Sequence, residues 1–447
     1  MKTYFQSLSQ EIFKSLSKNE NIFLSWIGDD TQFVRFNAAK VRQTGIVENH
    51  FLEFTFVLGD AEGSLRKAAG EITLTLNLSE DLSRMNAWIK RFRSELYEFP
   101  VDPYASLPKN TGVSQIDSLK GELLPRDQAI EKILSPFSAK VDVAGIYAAG
   151  SVYRGLANSA GLFHWFETET FSWDYSLYNS SQRAVKSTYS GTHNDHDKYL
   201  NDATRSIEQL EMLGRTPKKL ARGSYRAYLA PGAVGEIIGT MAWGALSEFS
   251  IRKNQSALRL IRSGEKNFSE KFNLIEDYSG GETPRFNREG DLAPVSLTLI
   301  ENGKLKSTLI HSRTAKEYKI DSNGADSTES LRSACVLGGA LRESEILERL
   351  DTGLYLSNLH YLNWSDQVNG RLTGMTRFAC FWVEKGRIVS PIENMRFDET
   401  IFDFFGSSLE EFTQDCRYLA ENHTYSYRRV GGMKVPGALL SEMRFTL

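Results

Sequence analysis

The segment Tyr228-Leu-Ala-Pro-Gly-Ala-Val-Gly-Glu-Ile-Ile-Gly-Thr-Met-Ala-Trp-Gly-Ala-Leu-Ser247 decides how the second half of this chain folds. It begins as the end of a strand, turns at Pro231-Gly232 and continues as a helix that is rich in small residues. Small residues let a neighbouring element approach the helix closely. We expect that contact along one face, which carries Gly235, Gly239, Ala242 and Ala245.

The composition is that of an ordinary water-soluble chain. Of its 447 residues, 41% are hydrophobic and 24% are charged, and the formal net charge is -3. This balance gives no electrostatic sign of binding to nucleic acid or to an anionic membrane. We expect the short basic spots, including Arg428-Arg429, to be solvated surface. No apolar run reaches the length of a membrane span, and the N-terminus lacks a signal-peptide core.

The cysteines indicate a reducing compartment. Cys335, Cys380 and Cys416 lie far apart and show no Cys-x-x-Cys spacing. That arrangement argues against a disulfide framework and against a structural zinc site. We therefore predict a cytoplasmic protein.

Patterning along the chain predicts an α+β fold with two domains. Residues 1–213 alternate amphipathic helices with short β-branched and aromatic runs, which is typical of a mixed α/β sheet domain. Two of these runs, near Ile22–Trp26 and at Gln32–Asn37, predict separate strands. Residues 214–223 are polar and look like a hinge. Residues 224–447 contain two hairpin signals. The clearer one is Asn302-Gly303 between apolar runs at 295–300 and 305–310, and the other is Glu384-Lys-Gly386 between runs at 378–383 and 387–390. We expect this C-terminal domain to be dominated by antiparallel β-hairpins.

Several short motifs occur in the order found in one known family. They are Leu156-Ala-Asn-Ser-Ala-Gly161, Gly223-Ser-Tyr-Arg-Ala-Tyr-Leu-Ala-Pro231, Phe286-Asn-Arg-Glu-Gly290, Thr373-Gly-Met-Thr-Arg377 and Val383-Glu-Lys-Gly-Arg-Ile-Val-Ser-Pro391. From about residue 150 to the C-terminus the chain resembles the TldD/PmbA metallopeptidases. The first 100 residues are similar to that family only in layout.

The zinc motif of the catalytic members is missing from this chain. Their His-Glu-x-x-x-His helix would match Gly239, Thr240 and Gly244, and no histidine occurs between His196 and His311. A zinc hydrolase needs about three protein ligands and an open position for water. The family's i, i+5 spacing would need a widened turn of the kind found in a π-bulge, which the two glycines would tolerate. We therefore expect no catalytic residue and no metal at these positions.

A second ligand expected from the resemblance is absent as well. Catalytic members supply a cysteine near the C-terminus, whereas the comparable stretch between His423 and Pro436 has none. Cys416 lies upstream of that stretch and would have to move to serve. Loss of the ligands at two separated places is similar to the PmbA/TldE branch, whose members lack the zinc.

The resemblance implies a non-catalytic subunit of a zinc peptidase complex. Such a subunit would pair with a zinc-bearing TldD-type homologue, or self-associate as a homodimer, and act on unfolded peptides in proteolysis or peptide maturation. Zinc is expected in the partner and no cofactor in this chain. Two alternatives stay open: a self-sufficient metallopeptidase with atypical ligands, and a homo-oligomeric peptide-binding protein without catalysis.

Two further sets of residues are candidates for binding. His193 and His196, with nearby aspartates, are the one local cluster with metal-ligating side chains, although a polar loop in which Asp195 or Asp197 caps the next helix accounts for it better. The second set resembles a family strand near the cleft, and we predict that it contacts a bound peptide: Arg371, Thr373, Gly374 and Arg377.

Overall fold

A computed structural model describes residues 1–137 and 141–446 of the protein. In this part of the chain the helices are α1 (Lys2–Lys14), α2 (Leu78–Glu95), α3 (Ala129–Leu134), α4 (His196–Leu213), α5 (Pro231–Met241), α6 (Glu248–Arg252), α7 (Leu258–Arg262), α8 (Ser312–Tyr318) and α9 (Ile346–Leu350).

The strands of the first sheet are β1 (Glu20–Asn37), β2 (Lys40–Leu58), β3 (Arg66–Thr73), β4 (Ile116–Leu119), β5 (Asp142–Asn158), β6 (Phe163–Tyr178) and β7 (Ala184–Gly191). Those of the second are β8 (Gly223–Leu229), β9 (Leu274–Asp277), β10 (Ser296–Glu301), β11 (Lys304–Leu305), β12 (Ser333–Val336), β13 (Gly353–Asp366), β14 (Arg371–Glu384), β15 (Arg387–Pro391), β16 (Arg396–Thr400), β17 (Leu409–Ala420) and β18 (Gly432–Phe445). The prediction of an α+β fold is confirmed.

The first sheet has seven strands in the order β3-β2-β1-β5-β6-β4, with β7 paired to β6. All pairs are antiparallel except β4 with β6. Helix α1 packs the apolar side chains of Phe5, Leu8 and Ile12 against this sheet, together with Trp26 and Trp165. The sheet therefore buries a large aromatic core under its helices.

Strand β1 is longer than the sequence pattern suggests. We expected separate strands near Ile22–Trp26 and at Gln32–Asn37, with a break at the polar residues between them. The structure has one strand, because β1 is paired with β2 on one side and with β5 on the other through Gly28-Asp-Asp30. Pairing on both edges satisfies the backbone of this polar stretch and keeps it extended.

The second sheet has eleven strands and mixed direction. Strands β8, β13, β14, β16 and β18 are paired in sequence, and β8 pairs with β18 as well, so these five form a closed ring. Helix α5 follows β8 directly and buries Ile237, Ile238 and Met241 in the same core as Leu356 and Leu440. The second sheet and α5 thus share one apolar core.

Both predicted hairpins exist, and one is shorter than expected. Asn302 and Gly303 have φ of 48° and 73°, and Lys385 and Gly386 have φ of 49° and 72°, as two-residue hairpin turns require. The strand expected at 305–310 ends at Leu305. The chain turns away there because Leu309 exchanges hydrogen bonds with Leu246 and Glu248 after α5.

The two sheets meet along a polar and apolar seam. Arg417 of β17 donates to Asp202 of α4 at 2.8 Å through two nitrogens. Phe381 of β14 is buried in the same cluster as Trp173 of β6. In the parts of the chain that the structure describes, no helix is both long and apolar enough to cross a membrane.

Candidate functional site

A cavity of about 1000 Å³ lies between the two sheets. Strands β1, β5 and β7 line it from the N-terminal side. Helix α5, strands β13, β17 and β18, and loops around residues 283–288, 326–332 and 421–430 line it from the C-terminal side. Large concave cavities between structural units are the usual place for ligand binding. This cavity is therefore the candidate functional site.

Helix α5 forms one wall because of its sequence. Pro231 stands in its first turn, where the missing N–H costs nothing and φ is already helical. The apolar residues of α5 face the core, and the opposite face, with Gly235, Glu236, Gly239 and Thr240, lines the cavity. The sequence segment that would carry a zinc motif thus lies at the wall of this cavity.

The side chains at this wall do not fit a zinc ion. Gly239 has no ligand atom, and the Thr240 hydroxyl donates to the carbonyl oxygen of Glu236 at 2.9 Å. The nearest atom to a Cβ built on Gly239 is the Met433 methyl, at 3.7 Å. Within residues 1–137 and 141–446, no three His, Cys, Asp or Glu side chains form a group that could hold a metal ion.

The backbone differs from the expected widened turn. Helix α5 ends at Met241, and Gly244 has φ of +81°, in the left-handed region that favours glycine. Gly239 and Gly244 therefore do not lie on one continuous helix. A π-bulge is not needed here because the chain leaves the helix before Gly244.

The close-packing prediction for α5 holds at one glycine and fails at another. A Cβ on Gly235 would lie 2.5 Å from Leu419 Cδ1, so this glycine allows close approach of β17. A Cβ on Gly239 would meet only an ordinary contact, and this position opens on the cavity. Gly239 therefore leaves space in the cavity and is not needed for packing.

Glu236 is the acidic side chain that α5 presents to the cavity. Desolvation by the cavity walls raises the pKa of Glu236, although its side chain remains exposed, and the ammonium of Lys186 on β7 opposes the shift. Lys186 also donates to Asp174 at 3.0 Å. The carboxyl group of Glu236 on α5 and the ammonium group of Lys186 on β7 therefore face the cavity from opposite sides.

The loop between β17 and β18 closes one end of the cavity. We expected Arg428 to be solvated, and this was wrong: it is buried, with 6% of its surface exposed. Its guanidinium donates to the carbonyl oxygens of Gly150 and Thr170 and to the Thr170 hydroxyl, at 3.2, 3.1 and 2.7 Å. Arg428 reaches the first sheet because these groups of β5 and β6, with Asp29 nearby, receive its charge.

The predicted histidine pair lies away from the cavity. His193 is exposed, and its Nε2 lies 3.6 Å from Glu122 Oε1. His196 is the first residue of α4, and Asp195 caps that helix by accepting from the backbone N–H of Lys198, as expected. Neither histidine lines the cavity. Metal binding by this pair stays a prediction.

The residues predicted to contact a peptide lie on β14 and do not line the cavity. Arg371 pairs with Asp398, and the Phe397 ring covers Gly374. The Thr373 hydroxyl donates to the Phe397 carbonyl oxygen, and the Arg377 guanidinium lies 5.2 Å from the Phe378 ring centroid. Strand β14 is hydrogen-bonded to β13 and to β16 along Arg371–Met375. Its main chain there is thus not open to an added strand, and peptide contact by these side chains stays a prediction.

Sequence reasoning missed the cavity residues that do not belong to α5. They include Trp26 of β1, Arg154 of β5, and Tyr427 and Arg429 of the loop between β17 and β18. They are separated by up to several hundred residues in sequence, and no local motif marks them. The Tyr-Arg-Arg run at Tyr427 was visible in the sequence, but only the fold shows which arginine is buried.

Residues 222–447, which are half of the chain, match the family model of the PmbA/TldA metallopeptidase C-terminal domain. The chain therefore belongs to the TldD/PmbA metallopeptidase family, as its motifs suggested. No curated protein matches the sequence.

Solved structures share the fold over the whole chain. A candidate DNA gyrase modulator from Thermotoga maritima has a TM-score of 0.78 at 16% identity, covering 99% of this chain and 100% of that one. TldE from Thermococcus kodakarensis gives 0.76 at 13% identity, covering 99% and 100%. A candidate gyrase modulator from Bacteroides thetaiotaomicron gives 0.72 at 15% identity, covering 100% and 98%. At these identities the likeness shows the fold alone.

Proposed function

We propose that this protein is a cytoplasmic, metal-free subunit of a TldD/PmbA-type peptidase complex. It forms one part of a chamber for unfolded peptides, and a homologous partner subunit carries the zinc. The observation that carries the proposal is the wall of α5. The segment that would hold the metal lines the cavity, yet it presents Gly239 and Thr240 in place of ligands.

The cavity has the chemistry of a site for extended peptides. Its volume of about 1000 Å³ is at the upper end for small-molecule pockets. Trp243, which is 62% exposed, supplies apolar surface to the cavity. Lys186, Glu236 and Asn358 supply polar groups along the same cavity. Such a mixed lining suits a peptide of variable sequence.

The side chains that line the cavity support a role beside a catalytic partner, because they do not include a set of zinc ligands among the described residues. The cavity offers a place for substrate, but the described residues place no set of zinc ligands beside it. The fold is also that of TldE from Thermococcus kodakarensis. A binding chamber without its own ligands is useful for hydrolysis only if a second chain supplies the metal.

Filling the cavity at Gly239 tests the binding half of the proposal. G239W places an indole in the cavity, because a Cβ there meets no atom closer than 3.7 Å. We expect an acetylated and amidated unfolded peptide to bind the wild-type chain and to lose most of its affinity for G239W, by isothermal titration calorimetry. G45W is the matched control, since Gly45 lies on β2 with no atom within 4 Å of its Cβ.

Reconstitution tests the complex. The chain alone should not cleave an unfolded peptide, and adding a zinc-bearing TldD-type homologue from the same organism should restore cleavage that a chelator abolishes. G239W should lower the reconstituted rate, and G45W should not. Cleavage by the chain alone, or a reconstituted rate that G239W leaves unchanged, would contradict the proposal.

A further inference from the structure

Three arginines that line the cavity, and Arg428 next to them, have no carboxylate partner. Arg154, Arg332, Arg428 and Arg429 form no ion pair within 4.0 Å of a described acidic group. By contrast, Arg288, Arg313 and Arg417 each pair with a carboxylate from the N-terminal half of the chain. A guanidinium that is partly buried without a counter-ion is costly. Such a group at a cavity wall is a natural receptor for an anion.

Arg154 has donors left for a ligand. Its Nη1 donates to the carbonyl oxygens of Tyr153 and Gly28, at 2.7 and 3.2 Å, and its Nη2 donates to that of Arg428, at 2.7 Å. These bonds use three of the five N–H groups of a guanidinium. Among the described residues no acceptor lies on Nε–H or on the second Nη2–H. The carbonyl oxygens thus fix the position of the Arg154 guanidinium group, while two of its N–H groups remain available to a ligand.

Tyr427 joins Arg154 to Arg429. The guanidinium carbon of Arg154 lies 5.6 Å from the ring centroid of Tyr427, and that of Arg429 lies 4.6 Å from it. Arg429 Nη1 also donates to the Tyr427 hydroxyl at 2.8 Å. All three residues line the cavity. One aromatic ring therefore carries two guanidinium groups at the same wall.

Charges of both signs act on Arg154. Burial lowers the pKa of Arg154 to about 10; Tyr427 and Asp29 oppose that shift, and like-charge repulsion from Arg429 and Arg428 adds to it. Asp29 acts on Arg154 and Arg428 from β1, and Glu53 pairs mainly with Arg288. Bringing one anion to the cavity wall would relieve this repulsion.

We propose that Arg154, Tyr427 and Arg429 form a carboxylate-binding subsite of the cavity, which takes the free C-terminal carboxylate of a bound peptide. The inference rests on the proposed peptide-binding function. The open fork of Arg154 suits a planar carboxylate, and Arg429 adds a second cation from the loop. This subsite would fix one end of an extended peptide along the cavity.

Calorimetry with three synthetic peptides tests the subsite on the full-length protein. One acetylated heptapeptide of alanine, serine and glycine ends in a free carboxylate, the second is its C-terminal amide, and the third is the amide with a central glutamate. We expect the free acid to bind about tenfold more tightly than the amide, which is the gain from about one charge-assisted contact. The glutamate peptide should bind like the plain amide. The preference for the acid should shrink as salt rises from 50 to 500 mM.

R429Q removes one cation with little risk to the fold, since Arg429 is exposed and its side chain bonds only to Tyr427 among the described residues. It should lower the affinity for the free acid by several-fold and thereby reduce the ratio of acid affinity to amide affinity. R91Q is the control, because Arg91 also lies over an aromatic ring, Trp88, at 5.2 Å and away from the cavity. R154K keeps the positive charge but removes the planar guanidinium group, so it should also reduce the preference for the free acid over the amide.

The outcomes separate the two proposals. If the amide and the acid bind equally well, the subsite is wrong and the peptide-binding function stands. If the glutamate peptide gains as much as the acid, the assignment to the chain terminus is wrong. If no peptide binds, the proposed function fails and the subsite fails with it. An acid preference that R429Q and R154K leave intact would also overturn the assignment.

Discussion

The carboxyl group of Glu399 on β16 is buried beside the carboxyl group of Asp403. Only 5% of its surface is exposed, and its oxygens accept from the backbone N–H and the guanidinium of Arg444 at 3.2 and 3.4 Å. Burial and a hydrogen bond to Asp403 raise the pKa of Glu399 from 4.5 to about 7. The group is therefore protonated in the folded chain at a pH where the unfolded chain has released its proton.

This pKa predicts a pH-dependent free energy of unfolding. The folded pKa of Glu399 lies above the unfolded one. The stability that the protonated carboxyl group contributes is therefore fully present below about pH 4.5 and is lost as pH rises to about 7. E399Q mimics the protonated form, so its stability relative to wild type should rise by on the order of 3 kcal/mol between pH 4.5 and 8. Urea unfolding at the two pH values measures this, and parallel pH profiles for the two proteins would contradict it.

Arg428 shows the limit of sequence reasoning for a single residue. In the sequence Arg428 and Arg429 are equivalent neighbours, and both were expected on the surface. In the structure Arg428 is buried in the first sheet and Arg429 is exposed. The difference arises from carbonyl oxygens of Gly150 and Thr170, which are far away in sequence. No local pattern records such acceptors.

At the scale of elements, α5 was the most predictable part of the site. Its Pro-Gly start, its apolar face and its position after a strand were all readable in the sequence. Its end was not, because the left-handed Gly244 stops the helix after Met241. The strand at 305–310 was overestimated for a similar reason, since contacts of Leu309 with the segment after α5 replaced hairpin pairing.

Two glycine substitutions on α5 should have different effects. G239A should stabilise the protein by about 0.5–1 kcal/mol, because alanine favours the helix and the new methyl meets only an ordinary contact. G235A should lose that gain or destabilise, because its methyl would lie 2.5 Å from Leu419. Chemical denaturation compares them, and equal shifts for both variants would show that α5 packs differently.

Arg428 is the buried side chain by which the loop from Glu421 to Gly431 is anchored in the first sheet. R428Q should detach it from the first sheet, because it removes the charge that the Gly150 and Thr170 carbonyl oxygens and Asp29 receive. Hydrogen exchange in the loop should become faster by at least about tenfold, corresponding to about 1.4 kcal/mol. R429Q, the adjacent control, should exchange like wild type. Unchanged protection in R428Q would show that other contacts hold the loop.

At the scale of the whole molecule, the cavity exists because two sheets from different parts of the chain face each other. The fold class and the order of motifs could be predicted from local patterns and from the family resemblance. The cavity wall could not, since Arg154 and Tyr427 meet only through the packing of β5 against the β17–β18 loop. Contacts over such sequence distances leave no periodic signal.

Buried ion pairs between the N-terminal and C-terminal halves of the chain should contribute more to the free energy of unfolding than exposed ion pairs do. D202N leaves Arg417 half-buried with only Glu343, at 3.9 Å, as a carboxylate partner, and should cost on the order of 3 kcal/mol. R313Q breaks the pair with Asp102 at the surface of the same seam and should cost less than about 1 kcal/mol. Equilibrium unfolding of both variants measures the contrast, and equal costs would contradict this account of the seam.

In the proposed complex this chain binds peptide and supplies no metal. Elemental analysis of the untagged, dialysed protein, with a peptide-cleavage assay on the same sample, tests both properties together. We predict far less than one zinc ion per chain and no cleavage until a zinc-bearing homologue is added. Near-stoichiometric zinc with chelator-sensitive cleavage by the chain alone would contradict the claim, and loss of both in H193A/H196A would assign the metal to that pair.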